Sequence, residues 1–340
     1  MNKFYLTFCI SVVCNFVIGQ NEQAIEAYNQ GISAFNNKDF KSAINNFDRA
    51  ILLDSSFAKA YYNRGVCKLD IKKYTEAIAD FTKNMALDSS KSDKSVYYRA
   101  QCYYLNKDKE SALQDYLDAF NRNKQNADAC YYSGGIYYEQ GKFQEAVEQF
   151  TKAINIKNDF PEAYNDRASS KRQLNDNNGA ISDYREATKL NPKLVAAYNN
   201  LGSILRANGD NQGALVEFGY AIKANPNESS SYVKRGRLKF ELLDYDGAMV
   251  DFNKAITLNK NDALAFNNRG CIKNKLRDFQ GAIEDFNSAI KIDVNYGYAY
   301  LNRGISKENI RDMSGACKDW TEASLNGITS AKQFLDADCN

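Results

Sequence analysis

The chain has 340 residues, with 44 Lys+Arg against 42 Asp+Glu and a formal charge of +2, so electrostatics give no reason to expect nucleic acid or an anionic membrane as the main partner. Apolar residues make up 44% and charged residues 25%, the composition of a folded soluble protein. There is no histidine, which excludes Ser-His-Asp and Cys-His catalysis and every metal site that needs imidazole.

The first element in chain order is a leader. Lys3 precedes an apolar run from Phe4 to Ile18, broken only by Thr7, Ser11 and Asn15, and the chain turns polar at Gln20, Asn21 and Glu22. Gly19, with Val17 two before it, completes the pattern of a secretory signal over residues 1–19, cleaved before Gln20. The run is short for a membrane span; a buried first helix or an uncleaved anchor is the competing reading. Cys14 follows Val13, which is not the small residue that lipoprotein processing prefers. The protein is therefore expected to be exported: periplasmic, envelope-associated or secreted. Membrane contact would come only through an uncleaved leader, and a cytoplasmic or N-terminally anchored protein is the alternative.

After a short linker at 20–23, one motif returns to residue 330. AYYNRG at 60–65 recurs as AFNNRG at 265–270 and AYLNRG at 299–304, and AIADF at 77–81 as AIEDF at 282–286. A 34-residue frame opens nine times, at Ala24, Ala58, Asp93, Ala127, Pro161, Val195, Ser229, Ala263 and Gly297, with one residue inserted in the Ser-Lys-Ser loop near 90–92. Slot 8 is always Gly or Ala, as in Gly31, Gly65 and Ala100; slot 20 is always Ala; slot 24 is always aromatic, from Phe47 to Trp320. Slot 27 is Ala in eight frames and Asn84 in the other. Each frame holds two helical patterns. An Asp at slot 16 in seven frames, among them Asp39, Asp108 and Asp210, is placed to cap the second helix. Pro161, Pro192 and Pro226 fall at frame boundaries, where no helical hydrogen bond is lost. The run Asn175–Gly179 lacks the alternating acids and closing glutamate of a calcium loop and reads as a plain turn.

Period, small slots and aromatic slots together resemble the tetratricopeptide repeat. The resemblance implies an all-α fold: a right-handed superhelical solenoid of antiparallel helix pairs, each repeat burying its apolar face on its neighbours. A short helix over 329–337, within the segment 328–340, would cover the last hydrophobic face. Slot 7 is Arg and slot 23 is Asp in the same six frames (Arg64 with Asp80, Arg99 with Asp115, and so on to Arg303 with Asp319). Both slots lie equally far from the middle of the turn, so an Arg–Asp bridge within each hairpin is expected, with a structural role.

The resemblance also implies that slots 2, 5, 6, 9, 12 and 13 of the first helices line a concave surface. In the first four frames that surface is aromatic, with Tyr62, Tyr97, Tyr104, Tyr131 and Tyr138; later it turns polar and basic, with Asn165, Arg172, Asn199 and Arg206. Slot 6 carries Asn29, Asn63, Asn200, Asn268 and Asn302, and an amide offers both the donor and the acceptor that a peptide backbone requires. Tyrosine supplies rigid contact area with a polar tip, although any one of these rings could equally be packing between neighbouring first helices. No three consecutive frames carry the lysine, asparagine and arginine set of a two-carboxylate chaperone clamp.

Cys67, Cys102, Cys130 and Cys271 lie in first helices and are expected to be buried as small apolar residues. Cys317 and Cys339 are placed so that a disulfide would pin the terminal helix, which export permits. With no histidine and no CxxC pair, neither a metal site nor a cofactor is expected. The reading that follows is a non-catalytic scaffold, not an enzyme, that binds a protein or extended peptide in its groove; the alternative is a structural subunit of an envelope or secretion assembly that uses its convex face or ends.

Overall fold

The computed structural model describes residues 22–88 and 92–339. The leader and most of the inserted loop therefore lie outside the described residues. The chain divides into two compact units between Asn175 and Asp176. The first contains α1 (22–36), α2 (Phe40–Leu53), α3 (Ala58–Asp70), α4 (Tyr74–Leu87), α5 (Asp93–Leu105), α6 (Lys109–Arg122), α7 (Ala127–Glu139), α8 (Phe143–Ile156) and α9 (Pro161–Gln173). The second contains α10 (Asn177–Leu190), α11 (Val195–Ala207), α12 (Asn211–Ala224), α13 (Ser229–Glu241), α14 (Tyr245–Leu258), α15 (Ala263–Lys275), α16 (Phe279–Ile292), α17 (Gly297–Asn309), α18 (Met313–Leu325) and α19 (Ala331–Asp338). Among the described residues there is no strand.

Within each unit every helix packs on the next, most extensively in the hairpins α3/α4, α5/α6, α7/α8, α11/α12, α13/α14, α15/α16 and α17/α18. First helices also touch the following first helix, as α3 touches α5 and α15 touches α17. Each unit is thus a stretch of solenoid with a first-helix layer and a second-helix layer.

Local sequence explains the hairpin. The chain leaves each first helix through one left-handed residue at slot 15, from Lys38 (φ 60°) and Lys72 (φ 63°) to Leu243 (φ 64°) and Arg311 (φ 67°); Gly141 and Gly209 hold the same place without strain. The next residue opens the second helix. In seven hairpins it is an Asp whose carboxylate accepts the backbone N–H three residues on: Asp39 from Ser42, Asp108 from Ser111, Asp176 from Gly179, and likewise Asp210, Asp244, Asp278 and Asp312.

The core lies between the two layers. The slot 20 alanines are fully buried, and the slot 24 rings Phe47, Phe81, Tyr116, Phe150, Phe218, Phe252, Phe286 and Trp320 are at most 1% exposed. Each buried ring contributes roughly 2–3 kcal/mol of apolar transfer. Glycine at slot 8 makes room for it: a Cβ on Gly65 would lie 2.9 Å from the Phe81 ring, and one on Gly202 2.7 Å from Phe218. The exception at slot 27 has its own reason. Asn84 donates to the Ala58 carbonyl (2.8 Å) and accepts from the Ser95 hydroxyl (2.6 Å), tying α4 to the helices on either side, next to the inserted loop.

The Arg and Asp of slots 7 and 23 are bridged in all five frames whose two helices lie in one unit. Arg99 Nε and Nη2 reach the two Asp115 oxygens at 2.7 and 2.8 Å. The pairs Arg64–Asp80, Arg235–Asp251, Arg269–Asp285 and Arg303–Asp319 repeat that fork. These carboxylates are 1–6% exposed, so the fork offsets a desolvation that would otherwise be costly. The Asp115 bonds hold the Arg99 guanidinium above its ordinary range, and those of Asp251 do the same for Arg235. The remaining guanidinium nitrogen reaches the preceding second helix: Arg64 to Asp48 (2.6 Å), Arg269 to Asn253 (2.8 Å), Arg303 to Asn287 (2.6 Å). Arg64, Arg269 and Arg303 therefore each close their own hairpin and also tie it to the one before.

At the C-terminal end α19 lies on α18. Phe334 stacks on Trp320 with centroids 4.9 Å apart, and a Cys317–Cys339 disulfide, with Cα atoms 5.7 Å apart, fixes the helix end. Cys67, Cys102 and Cys130 are fully buried and Cys271 is half-buried. Burial pushes the Cys67 and Cys102 thiols up to about 12, and those of Cys130 and Cys271 to about 11, so all four are inert as nucleophiles at neutral pH.

Candidate functional site

The first-helix face of the first unit carries a run of rings. Tyr62 sits 6.1 Å from both Phe81 and Tyr98; Tyr98 is 5.5 Å from Tyr97, and Tyr97 is 6.4 Å from Tyr132. Tyr132, 37% exposed, stacks on buried Tyr116 at 5.4 Å and touches Tyr131 at the same distance. Burial raises the phenols of Tyr62, Tyr97 and Tyr131 well above the ordinary tyrosine range, so these three stay neutral at physiological pH.

Three depressions follow one another along this face. The first, about 330 Å³, lies among Ile25, Tyr28, Asn29, Asp54, Phe57 and Lys59. The second, about 280 Å³, shares Tyr28 and Lys59 with it and adds Tyr62, Asn63, Asn84, Asp88 and Lys94. The third, about 540 Å³, shares Tyr62 and Lys94 with the second and continues to Tyr97, Tyr98, Asn126 and Asp128. Asn63 Nδ2 donates to the Tyr28 hydroxyl at 2.9 Å, which leaves the phenolic hydrogen to point elsewhere.

Other groove candidates are spent on their neighbours. Tyr104 donates to Glu139 (3.0 Å), which also pairs with Lys109 (2.8 Å). Tyr131 donates to Asp166 (2.8 Å) and packs 4.8 Å from Phe160. Tyr138 packs on Phe143 at 5.4 Å. Two amides expected on the groove surface are buried instead. Asn165, 8% exposed, donates to Asp166 (2.9 Å), and Asn199, 5% exposed, donates to Ser231 (2.8 Å). The cause is length: a slot 5 tyrosine reaches past the neighbouring first helix, whereas an asparagine stops between the two. Burial pushes the Asp166 carboxyl above the usual range, against the bonds from Tyr131 and Asn165.

In the second unit the same face is polar and cross-linked. Arg206 forks onto Glu241 at 2.8 and 2.5 Å. Asn302 donates to Asn267 (3.0 Å), and Ser306 to Asn274 (2.8 Å). Asn200 and Asn268 are half-buried, and a buried Asn268 amide nitrogen has no hydrogen-bond partner. Arg172, at the end of the first unit, is exposed.

Sequence reasoning missed two sets of lysines. Lys68, Lys239, Lys273 and Lys307, at slot 11, add a second cation to the buried Asp80, Asp251, Asp285 and Asp319 at 2.8–2.9 Å. Their confinement to frames that already carry the Arg–Asp pair is the signal that would have found them. Lys59 and Lys94, which form walls of the depressions, stand at slot 2, a slot expected to line the concave surface, but its residue type changes from frame to frame and so singled neither out. Among the described residues no group of three or more His, Cys, Asp or Glu is arranged to hold a metal ion, and no helix is long and apolar enough to cross a membrane.

Stacked helical hairpins with a recessed first-helix face define a helical-repeat protein of the kind that presents a surface to other proteins. Models described as TPR repeat and tetratricopeptide repeat match residues 28–83, 134–171, 168–209, 229–262 and 263–296, and the chain belongs to the tetratricopeptide repeat family. Solved structures share the fold at low identity. The C-terminal part of a TPR repeat-containing protein from Cytophaga hutchinsonii is 16% identical over 71% of this chain and 98% of its own, with a TM-score of 0.61. A tetratricopeptide repeat protein from Parabacteroides merdae is 20% identical over 74% and 100%, at 0.57. The Cut9–Hcn1 hetero-tetramer of the APC/C is 17% identical over 93% and 76%, at 0.56. No curated protein matches the sequence.

Proposed function

We propose that the chain is a non-catalytic scaffold of nine repeats over 24–330 that binds an extended peptide or partner protein on its first-helix face. The observation that carries this is the row of adjoining depressions walled by Tyr28 and Tyr62. Neutral half-buried rings next to amide and ammonium donors suit a peptide, whose side chains and carbonyls ask for both. The partner is protein, not nucleic acid, since the charge is nearly balanced.

The test is selection of displayed random 12-residue peptides on the full chain, followed by Tyr62→Ala and Tyr97→Ala. Selected peptides should lose binding to these variants while helical circular dichroism persists; peptides that bind the variants unchanged would refute groove binding. The second reading, a subunit of an envelope or secretion assembly, is favoured by Val216, Tyr220 and Val250, 45–66% exposed on second helices of the second unit. It predicts a partner complex that survives the tyrosine changes and is lost on Tyr220→Asp with Val250→Asp. Export behind a leader over 1–19 is supported by Lys3, the apolar run and a disulfide suited to an oxidising compartment. N-terminal sequencing of protein from its native cells should begin at Gln20; a start at Met1 refutes cleavage.

A further inference from the structure

The walls between the three depressions repeat. Each is a slot 5 tyrosine with the slot 2 lysine of the next frame: Tyr28 with Lys59, then Tyr62 with Lys94. The depressions therefore recur once per repeat. Neighbouring first helices pack with axes about 8–10 Å apart, which sets the spacing of the depressions. A β-strand returns a side chain to the same face every two residues, about 6.8 Å, and falls out of step with this spacing at once. A polyproline II helix has three residues per turn and rises about 3.1 Å per residue, so its faces repeat at about 9.3 Å and stay in step.

Charge and hydrogen bonding agree. Over the three linings together Lys59, Lys94 and Lys157 stand against Asp54, Asp88, Asp93 and Asp128. A groove balanced in this way complements an uncharged ligand and gives a strongly acidic or basic one no advantage. Polyproline II leaves every carbonyl without an internal partner, and proline brings no N–H. Such a ligand needs donors and aromatic faces. The Tyr28 hydroxyl, whose oxygen already accepts from Asn63, and the exposed Lys59 and Lys94 ammonium groups are donors.

We propose that the first-helix face of the first unit binds an uncharged, proline-rich segment in the polyproline II conformation, one turn of the ligand per repeat. This rests on the groove reading above and narrows its partner class.

The test uses the full chain and three fluorescein-labelled, end-blocked peptides, (Pro-Pro-Ala)₄, (Gly-Ser-Ala)₄ and (Asp-Ser-Ala)₄, read by fluorescence anisotropy. The proline peptide should bind at least about tenfold more tightly than either of the others. Tyr62→Ala should cost about tenfold and Tyr298→Ala, in the second unit, nothing. Lys59→Ala with Lys94→Ala alters only exposed side chains and should cost about threefold with the melting curve unchanged, which keeps the test decisive if Tyr62→Ala folds poorly. Equal binding of the proline and glycine–serine peptides, preference for the acidic one, or no binding of any of the three overturns the proposal. If a non-proline peptide binds and is lost on Tyr62→Ala, the groove reading survives and the polyproline assignment does not. Proline-peptide binding that ignores both sets of changes overturns both.

Discussion

Slot 8 gives a comparison in which most confounding effects cancel. Gly270 and Gly236 occupy the same slot in neighbouring first helices, α15 and α13. A Cβ on Gly270 would sit 2.7 Å from Phe286, whereas one on Gly236 would sit no closer than 3.2 Å to Asp251 and Phe252. Carbon atoms settle at about 3.5–4.0 Å, so Gly270→Ala requires the fully buried Phe286 ring to move most of an ångström, while Gly236→Ala requires a few tenths. The first displacement is overpacking of about 1–3 kcal/mol. Alanine in a helix interior returns about 1 kcal/mol at both sites. Gly270→Ala is therefore expected to destabilise by up to about 2 kcal/mol, and Gly236→Ala to be neutral or stabilising by up to about 1 kcal/mol. The difference between the variants, about 1–2 kcal/mol, is free of the propensity contribution. Urea unfolding of the full chain, followed by circular dichroism with slopes compared, measures it. Equal shifts, or a larger loss at Gly236, would show that ring contact is not what keeps this slot small.

Leu243 is 70% exposed with φ 64°, so Leu243→Gly should relieve left-handed strain and stabilise by about 0.5–1 kcal/mol after the unfolded-state entropy is counted; a lower urea midpoint would contradict this. Glu217 lies in a frame with Leu201 in place of the usual arginine, and burial raises its carboxyl above 4.5. Its penalty is absent below pH 4.5 and grows as pH rises through the folded value, so Glu217→Gln should raise Tm at pH 7 by an amount worth under about 1 kcal/mol, with the gain vanishing near pH 4; a pH-independent gain would rule out ionisation as the cause. Opening the Cys317–Cys339 link, which closes 22 residues, by Cys317→Ser should cost about 3 kcal/mol and release α19, since its eight residues bury only Ala331 fully. Trp320 emission should then shift to the red; unchanged emission and amide exchange would show that packing alone holds the helix.

What was legible in the sequence was whatever recurs. A residue that must be small or aromatic at one place in the hairpin meets the same constraint in every copy, so Gly65, Gly202 and Gly270 mark one contact read several times. The Arg–Asp fork was legible because slots 7 and 23 change together. What a pattern of slots does not report is reach. Tyr62 and Asn199 share slot 5, yet the ring walls a depression while the amide is 5% exposed against Ser231. The lysines of slot 11 were hidden for a related reason: a flexible cation reads as solvated surface until a buried carboxylate lies within its length.

The two first-helix faces therefore differ in what they leave for a partner. In the second unit Arg206, Asn302 and Ser306 bond the next or preceding repeat, and a ligand there would first have to displace bonds already made. In the first unit the contacts that Tyr62 and Tyr97 make with the next repeat are ring against ring, and a ring packed through one face still presents its other face and its edge. Tyr62 can hold Phe81 and Tyr98 at 6.1 Å and wall two depressions at once, which a saturated amide pair cannot do. Tyr62 and Tyr97 thus hold the repeats together without using up the surface, and that is the physical reason to look for the partner there.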